Sequence, residues 1–324
     1  MRIEKDVHSF KLKSPFAITG HVFDAINTLG ITLKHNGCRG RGEAVGVYFK
    51  NETPHSMKEQ IENLNLPIGK ELTHEFLLKT LPSGGARNAI DCALWDLKAK
   101  CANATIWELL NIKPKALSSV ATISIDTPEM MAKKAIHFSK YDKLKVKLSI
   151  DEPIVCLKAI RAVRPDASII IDVNQGWTFE ELIKFTPCLE RLDIAMIEQP
   201  LPRGGDECLE GYKSAIPLAA DESCLDTYEY TRISNRYDVI NIKLDKCGGL
   251  TEGLKLVELA KRDNKGLMIG NMMGSSLSMA PAYVIGQFCQ YVDIDGPLFL
   301  AQDIKDGLAY RNGVVDLPET KLWG

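Results

Sequence analysis

The sequence has no long apolar run, no excess of basic charge and no apolar leader. Its 324 residues include 40 Lys and Arg against 42 Asp and Glu, for a formal net charge of −2. A protein that binds nucleic acid through bulk charge needs a basic face or tail, so that class is disfavoured. No window reaches the roughly 18 apolar residues of a membrane-spanning helix. The charged N-terminus lacks the apolar stretch of a signal peptide.

Paired cysteines are also missing. The nine cysteines are scattered along the chain, and no two of them form a C-x-x-C motif. A disulfide framework and a thiolate zinc site are therefore disfavoured, and a reducing cytoplasm is the expected location. Hydrophobic residues make up 45% and charged residues 25% of the chain, which is typical of a folded protein without long disordered segments.

Histidine is absent from the C-terminal part of the chain. A Ser-His-Asp triad and a histidine general base are therefore excluded there, and lysine is the remaining candidate for a base. The six histidines are His8, His21, His35, His55, His74 and His137.

Residues 1–115 are predicted to form a small α+β unit. The first 50 residues look like short strands, and Asn36-Gly37 after the strand-like segment 31–35 is a strong signal for a hairpin turn. Helices are predicted at 71–81 and 86–100, where apolar residues recur with helical spacing. A short third helix near 106–110 is expected to end before Pro114.

From about residue 120, short apolar runs alternate with amphipathic helical patterns. Eight such runs in strand–helix units of roughly 25 residues favour a parallel α/β barrel. An open doubly wound sheet is the alternative, but no G-x-G-x-x-G phosphate turn supports it. The runs lie at 120–124, 144–148, 169–173, 195–197, 218–220, 239–242, 267–269 and 291–294.

Charged residues stand at the ends of five successive runs. Because the carboxyl ends of parallel strands meet at one rim of a barrel, these side chains are expected to share that rim. A helix cap or a surface ion pair is the common role of one such residue, but it does not account for five in register. The five are Lys147, Asp172, Glu198, Asp221 and Lys243, at successive spacings of 25, 26, 23 and 22 residues.

Three converging carboxylates need a counter-charge, because they would otherwise repel one another strongly. A ligand set made only of oxygen atoms favours Mg²⁺ over zinc. Lys147 and Lys243 would flank this acidic trio from opposite sides. Lysine can act as a base if burial, the metal and a second ammonium, that of Lys145 or Lys246, lower its pKa.

The motifs resemble those of the enolase superfamily, in its muconate-cycloisomerase-like subgroup, and within it the dipeptide epimerases. The resemblance covers essentially the whole chain. It implies an α/β fold with a modified (β/α)7β TIM-type barrel at 116–304, capped by an α+β domain at 1–115 that the tail at about 305–324 completes. The motifs are K-x-K at 145–147, D-x-N at 172–174, E-Q-P at 198–200, D-E-S at 221–223, K-x-x-K-x-G-G at 243–249 and D-x-D-G-P at 293–297.

The resemblance also implies an activity. Asp172, Glu198 and Asp221 would bind Mg²⁺, while Lys147 and Lys243 would be the acid/base pair. The reaction implied is proton removal from, and return to, the α-carbon of a dipeptide's C-terminal residue, with Mg²⁺ stabilising the enediolate. The D-x-D pair would bind the substrate's α-ammonium. Asp293 and Asp295 alternate with apolar residues, so both are expected on one face of a strand.

Further residues are expected around this centre. Lys145 would lie at the substrate, with Asn174, Asp245 and Lys246 behind the reacting groups. The loop 16–23, with Ile18 and His21, and the seventh strand, with Met273, would contact the substrate side chain. Ser14 to Cys38 contains no Arg, whereas relatives that act on Ala-Glu commonly hold the glutamate with a cation from this loop. An apolar or small C-terminal side chain is therefore expected at least as much as an Ala-Glu-like substrate. His21 or Arg39 remains an alternative donor to a carboxylate.

Other functions fit the same metal and lysines. A cycloisomerase or an o-succinylbenzoate synthase-type lyase is the main alternative, but such enzymes bind no ammonium, and the Asp293/Asp295 pair argues against them. Acid-sugar dehydratases usually need a barrel histidine. A non-catalytic metal-binding protein would be expected to have lost one of the five rim residues. The expected partner is a small dipeptide, not nucleic acid or a membrane, and barrels of this kind are often homo-oligomers.

Overall fold

The computed structural model describes residues 1–18, 21–65 and 71–324. These residues form an antiparallel sheet of three strands, a parallel sheet of eight strands and a second, smaller sheet of three strands. No helix in this part of the chain has the length and hydropathy needed to cross a membrane.

The N-terminal sheet is a long meander. The predicted turn is confirmed, since Asn36 and Gly37 adopt φ values of 48° and 78°, as a two-residue hairpin requires. The prediction of short strands was wrong, because the first strand has 17 residues and the second 15. Most side chains of the first strand are exposed, so no apolar run marks its length. The strands are β1 Arg2–Ile18, β2 His21–His35 and β3 Cys38–Ala44.

Four helices follow this sheet, and the third packs directly on β3. A Cβ atom at Gly42 would come within 2.1 Å of the Ala89 carbonyl oxygen, so only glycine permits this approach. The predicted helices are confirmed with shifted ends. The first helix was missed, although Thr53 and Ser56 form a capping box before it. The helices are α1 Pro54–Glu62, α2 His74–Thr80, α3 Gly85–Cys101 and α4 Ile106–Leu109, with a 3₁₀ turn at Tyr48–Lys50.

All eight predicted barrel strands are present and lie side by side in chain order. The backbone N–H of Val120, just before the first of them, donates to the carbonyl of Val292 in the last at 2.8 Å. This bond links the two ends of the sheet. The strands are β5 Ala121–Ile123, β6 Lys143–Lys147, β7 Ser168–Asp172, β8 Ile194–Glu198, β9 Leu218–Ala220, β10 Val239–Ile242, β11 Gly266–Ile269 and β12 Tyr291–Val292.

Helices connect these strands and cover the outside of the barrel. The connection from β8 to β9 holds only a 3₁₀ turn at Glu207–Leu209, while α-helices occupy the others. Inside, small and medium apolar side chains such as Ile170, Ala219 and Met268 fill the barrel below the rim. The helices are α5 Pro128–His137, α6 Pro153–Val163, α7 Phe179–Arg191, α8 Thr227–Ile233, α9 Leu244–Cys247, α10 Leu250–Arg262 and α11 Ser276–Gly286.

The C-terminal residues return to the N-terminal helices. The Trp323 indole donates to the carbonyl of Cys92 at 3.0 Å, and the backbone N–H of Gly324 donates to Asp96 at 2.7 Å, both on α3. The last short elements are β4 Leu117–Ser118, α12 Gly296–Phe299, β13 Tyr310–Arg311 and β14 Val314–Val315. Strands β13, β14 and β4 form the smaller sheet.

Candidate active site

Consecutive barrel strands place the five predicted rim residues next to one another. Lys147, Asp172 and Glu198 are the last residues of β6, β7 and β8, and they are cross-strand partners in register. Asp221 and Lys243 directly follow β9 and β10. Parallel strands therefore bring a row of residues to the carboxyl end of the barrel, with the three acids in the middle and a lysine at each end.

Ammonium groups compensate the buried acids. Lys147 Nζ lies 2.5 Å from Asp172 Oδ2, and Lys243 Nζ lies 2.6 Å from Asp221 Oδ2. Lys145 sits behind this row, within 2.8 Å of Glu198 and 3.1 Å of Asp172. All six side chains are at most 10% exposed, so these charges interact in an environment with little water to screen them.

The three acids differ in the direction of their pKa shifts. Burial raises the pKa of Asp172, but the attraction of Lys147 and Lys145 outweighs it and leaves that pKa below its usual range. The pKa of Asp221 is lowered in the same way by Lys243 and Lys246. Burial and the negative charge of Asp172 instead raise the pKa of Glu198 to about 8. Glu198 is thus the acid of the three whose negative charge the surrounding lysines stabilise least.

The three acids fit a divalent cation. One carboxylate oxygen from each lies within 4.8 Å of the other two, and oxygen donors are what Mg²⁺ prefers. Among the described residues, buried Glu198 Oε2 and Asp221 Oδ1 receive no hydrogen bond. Each still lies within 2.8 Å of an ammonium, that of Lys145 or Lys246, but without hydrogen-bond geometry. Both oxygens therefore keep lone pairs available for a cation.

A cavity of about 680 Å³ opens above this row, between the barrel and the N-terminal sheet. Ile18 and Met273, both expected from the sequence to contact the substrate side chain, line it. His21 does not line it and packs against Tyr48 with ring centroids 4.8 Å apart. Arg39 is exposed and also lies outside the lining. Thr19 and Gly20 of the predicted specificity loop lie outside the described residues.

Both acids of the D-x-D pair reach this cavity, but not from a strand as predicted. β12 ends at Val292, because the chain turns there towards α12. Asp293 accepts hydrogen bonds from Lys145 at 2.9 Å and from Asn271 at 3.1 Å. Asp295 accepts from the backbone N–H of Thr122 at 2.8 Å. Burial and the neighbouring Asp293 raise the pKa of Asp295 well above its usual range.

The predicted supporting residues occupy different places. Asn174 accepts a hydrogen bond from Lys147 at 3.2 Å. The Lys246 ammonium contacts Asp221 and donates to the carbonyl of Asn241 at 3.0 Å. Asp245 points the other way, where it accepts the backbone N–H groups of Val45 and Gly46, each at 2.9 Å. It thus ties the N-terminal sheet to the barrel.

Sequence reasoning gave no role to Glu222, Asn241 or Tyr48. Asn241 Nδ2 donates to Glu198 Oε1 at 2.8 Å, and its position two residues before Lys243 on β10 was the available signal, since strand residues i and i+2 share a face. Glu222 accepts from Asn174 at 3.3 Å, and burial raises its pKa to about 7. Tyr48 lines the cavity from the N-terminal unit, where no local pattern marks it.

Family models match both parts of the chain. Residues 3–111 match the mandelate racemase / muconate lactonizing enzyme N-terminal domain, and residues 129–321 match the enolase C-terminal domain-like model. An N-acetyl-D-glutamate racemase of Pseudoalteromonas sp is 41% identical over 88% of this chain and 91% of its own. The L-Ala-D/L-Glu epimerase of Escherichia coli K12 is 35% identical over 95% of this chain and 97% of its own.

Solved structures indicate the same family. An enolase family member from Agrobacterium tumefaciens, with bound sodium and L-Ala-L-Glu, is 35% identical, covers 99% of both chains and has a TM-score of 0.96. A dipeptide epimerase from Enterococcus faecalis, complexed with Mg and L-Leu-L-Tyr, is 27% identical with a TM-score of 0.91, over 98% of this chain and 96% of its own. The chain therefore belongs to the mandelate racemase / muconate lactonizing enzyme family of the enolase superfamily.

Proposed function

We propose that this protein is an isomerase, a Mg²⁺-dependent dipeptide epimerase that inverts the α-carbon of the substrate's C-terminal residue. The observation that carries the proposal is the row of lysine, three acids and lysine on five consecutive strands. An α-proton next to a carboxylate is very weakly acidic, because its removal adds a second negative charge to the same group. The site provides for both the added charge and the proton. The three acids form a position for a cation that stabilises the charge, and the lysine amines can remove and return the proton.

Asp172, Glu198 and Asp221 would hold the metal. They form the one group of three acids with suitable spacing found among the described residues. Bound Mg²⁺ acts as a Lewis acid and stabilises the charge that develops on the substrate carboxylate. Relatives named as dipeptide epimerases bind Mg together with a dipeptide, which supports this assignment.

Lys147 and Lys243 would move the proton. The neutral amine of one removes the α-proton from one face, and the ammonium of the other donates a proton to the opposite face, which inverts the centre. The roles exchange for the other isomer. Burial lowers the pKa of Lys243, but Asp221 outweighs it and raises that pKa above its ordinary value. The lowered lysine pKa that a catalytic base needs therefore requires the acids to bind the cation rather than the lysine.

Asp293 and Asp295 would bind the α-ammonium of the N-terminal residue. Both line the cavity just beyond β12, the last strand of the barrel sheet, and Asp295 accepts a hydrogen bond from Thr122 on β5. Asp293 is held by Lys145 and Asn271. A dipeptide could thus lie across the rim, with its carboxylate at the metal and its amino group at this pair.

The substrate's C-terminal side chain would be apolar. The cavity wall contributed by the N-terminal unit consists mainly of Phe16, Ile18, Phe23, Ile26 and Val45, and Met272 and Met273 face it from the barrel. Apart from the lysines of the rim row and Lys145, no cation lines the cavity among the described residues. A glutamate side chain would therefore lose water without gaining a counter-charge.

N-acyl amino acid racemisation is the second candidate, because the relative that is 41% identical is named an N-acetyl-D-glutamate racemase. The same lysines and metal would serve that reaction. The discriminating group is the substrate nitrogen, which is a cation in a dipeptide and a neutral amide in an N-acetyl amino acid.

One experiment tests the proposal. The protein is incubated with Mg²⁺ in D₂O together with a dipeptide library, N-acetyl-L-glutamate and N-acetyl-D-glutamate, and mass spectrometry follows a gain of one deuteron. Exchange and inversion in dipeptides, foremost those with apolar C-terminal residues, is the expected result. Exchange confined to the N-acetyl compounds would select the second candidate. Ring closure or water loss from an acidic substrate would favour the cycloisomerase or lyase alternative.

Two further assignments accompany this function. The capping domain would comprise residues 1–115 together with the tail at about 305–324, with the barrel at 116–304. All nine cysteines are free, which supports a cytoplasmic location.

A further inference from the structure

A second cavity, of about 1080 Å³, adjoins the candidate active site. Phe16, Thr122, Asp295 and Phe299 line both cavities, so the two spaces meet at the Asp295 side of the site. The second cavity lies between the end of β1, the first barrel helix α5 and the short helix α12. We call it the β1–α5 groove.

The groove is lined by three lysines and one histidine. Lys13, Lys133, Lys134 and His137 contribute to its walls, and Asp295 is the one acidic side chain among the described residues that line it. Asp295 is buried and hydrogen-bonded to Thr122. The groove therefore has a positive wall with little negative charge facing it.

These cations are only partly satisfied by the protein. Lys134 pairs with Asp126 at 3.0 Å and donates to Ser124 at 2.9 Å. Lys13 donates to the carbonyl of Leu298 at 2.8 Å, which leaves the charge of Lys13 uncompensated. The side chain of Lys133, which is exposed, makes no hydrogen bond or ion pair within the part of the chain that the structure describes. The ring of His137 packs against that of Phe138 with centroids 5.3 Å apart. An anion placed in the groove would meet available donors.

We propose that the β1–α5 groove binds a carboxylate carried by the N-terminal part of the substrate. This inference rests on the proposed function, which puts the substrate's amino end at Asp293 and Asp295. A side chain extending from that end would pass Thr122 and Phe16 and enter the groove. The substrate class is then a dipeptide with Glu or Asp at its N-terminal position. An N-succinyl amino acid carries the same carboxylate chemistry on an acyl group.

Substrate pairs that differ only in charge test the inference. Glu-Leu and Gln-Leu have nearly the same shape, so their difference reports the carboxylate. We expect kcat/KM to be roughly 3- to 10-fold higher for Glu-Leu than for Gln-Leu. This is the fold-change that corresponds to the free energy of one or two partly exposed ion pairs. The difference should lie in KM, because this contact is remote from the reacting carbon. It should shrink in 1 M salt, where the Debye length is about 3 Å.

Variants locate the effect. Lys133→Gln should remove most of the preference for Glu-Leu and leave the activity on Gln-Leu unchanged, because Lys133 touches neither the metal ligands nor the rim lysines. Lys140→Gln is the matched control, since Lys140 is exposed just beyond α5 and does not line the groove. Both variants should keep the parent melting temperature.

Binding measurements separate the two hypotheses. Calorimetric titration of the Mg²⁺-loaded protein with Glu-Leu, Gln-Leu and N-succinyl-Leu gives dissociation constants that do not depend on turnover. Tighter binding of Glu-Leu than of Gln-Leu supports the groove, and N-succinyl-Leu binding as tightly as Glu-Leu would identify an acyl group as the carrier of the carboxylate that the groove recognises. Equal constants for Glu-Leu and Gln-Leu would overturn the inference. Absence of deuterium exchange in every dipeptide, with Glu-Leu still bound more tightly, would instead overturn the proposed function.

Discussion

At the scale of single residues, the site is a balance of buried charges. Lys145 contacts three acids at once, namely Asp172, Glu198 and Asp293, at distances of 2.8–3.1 Å. Removal of one partner of such a cluster leaves an uncompensated buried charge, which costs more than the contact itself contributes. Substitutions of these residues therefore need a check of folding beside each measurement of activity.

The two rim lysines should have separable roles. We expect Lys147→Ala and Lys243→Ala each to reduce epimerisation by roughly 10²- to 10⁴-fold, as the loss of a positioned acid or base does. Each variant should still exchange the α-proton of one isomer with D₂O without inverting it, and the two variants should act on opposite isomers. Proton NMR of both isomers in D₂O provides the measurement. Full epimerisation by either variant would contradict the pairing.

Asn241 should position a metal ligand. Its amide donates to Glu198 Oε1, and loss of such a partner typically costs about 10- to 100-fold in metal affinity. We expect Asn241→Leu to weaken Mg²⁺ binding by that factor, measured by calorimetry. Leucine keeps the size and removes the donor, and a circular dichroism spectrum like the parent's serves as the folding control. Unchanged Mg²⁺ affinity would show that Glu198 needs no orienting group.

The sequence predicts charged rim residues better than neutral ones. Lys147, Asp172, Glu198, Asp221 and Lys243 were recognisable because charge at the end of an apolar run is unusual and recurs in register. Asn241 and Tyr48 carry no such signal, since an amide in a strand or a tyrosine in a loop is common. The orientation of Asp245 towards Val45 and Gly46 depends on how the N-terminal sheet packs, which no local pattern encodes.

At the scale of elements, two buried carboxyl groups fasten β3 to the barrel. Glu43, at the end of β3, accepts hydrogen bonds from the backbone N–H and the hydroxyl of Ser275 at 2.8 and 2.9 Å. Asp245 accepts the N–H groups just beyond β3. These bonds hold the cavity wall that bears Val45 and Gly46 over the rim.

Glu43 should make stability depend on pH. Burial raises its pKa from 4.5 to about 7, so between these values the folded state holds a proton that the unfolded state has lost. The stabilisation is therefore complete below about pH 4.5 and declines as pH rises towards 7. Glu43→Gln removes this titration, so the stability of the variant relative to the parent should rise with pH, by at most about 3 kcal/mol. Urea unfolding between pH 5 and pH 8 provides the measurement. If the free energies of unfolding of the variant and the parent changed with pH in parallel, this prediction would be contradicted.

Element boundaries followed the sequence where apolar periodicity was strong and departed from it elsewhere. β9 and β10 occupy the predicted residues, because buried parallel strands are continuous apolar runs. β1 was longer than predicted because both of its faces are largely exposed. α1 was missed because its apolar positions are few, with only Met57 and Ile61 buried.

At the scale of the whole molecule, the end of the chain helps to hold the N-terminal helices in place. Leu322 and Trp323 are buried, and α3 and α4 both form hydrogen bonds with the last two residues. The groove and the cavity depend on the same arrangement, since β1 supplies part of both walls and β2 part of the cavity wall. Substrate contacts would thus come from both ends of the barrel sheet and from the cap.

Truncation of the buried tryptophan should be costly. We expect Trp323→Ala to lower the free energy of unfolding by about 3–5 kcal/mol, the usual cost of removing a buried aromatic side chain. Leu317→Ala is the control, because Leu317 is 40% exposed and its loss should change stability by less than about 0.5 kcal/mol. Denaturant unfolding of both variants provides the comparison. A similar small effect in both would argue against the tail as part of the cap.

Isotope partitioning in the first turnovers tests the central claim, that two amines act on opposite faces of one carbon. A single isomer of a dipeptide substrate is converted by the parent protein with Mg²⁺ in D₂O, and mass spectrometry follows the α-position of the product and of the recovered substrate. If a second lysine delivers the new proton, the product carries deuterium from its first appearance while the recovered substrate remains largely protiated. Protium transferred from substrate to product would mean that one base serves both faces and would contradict the account.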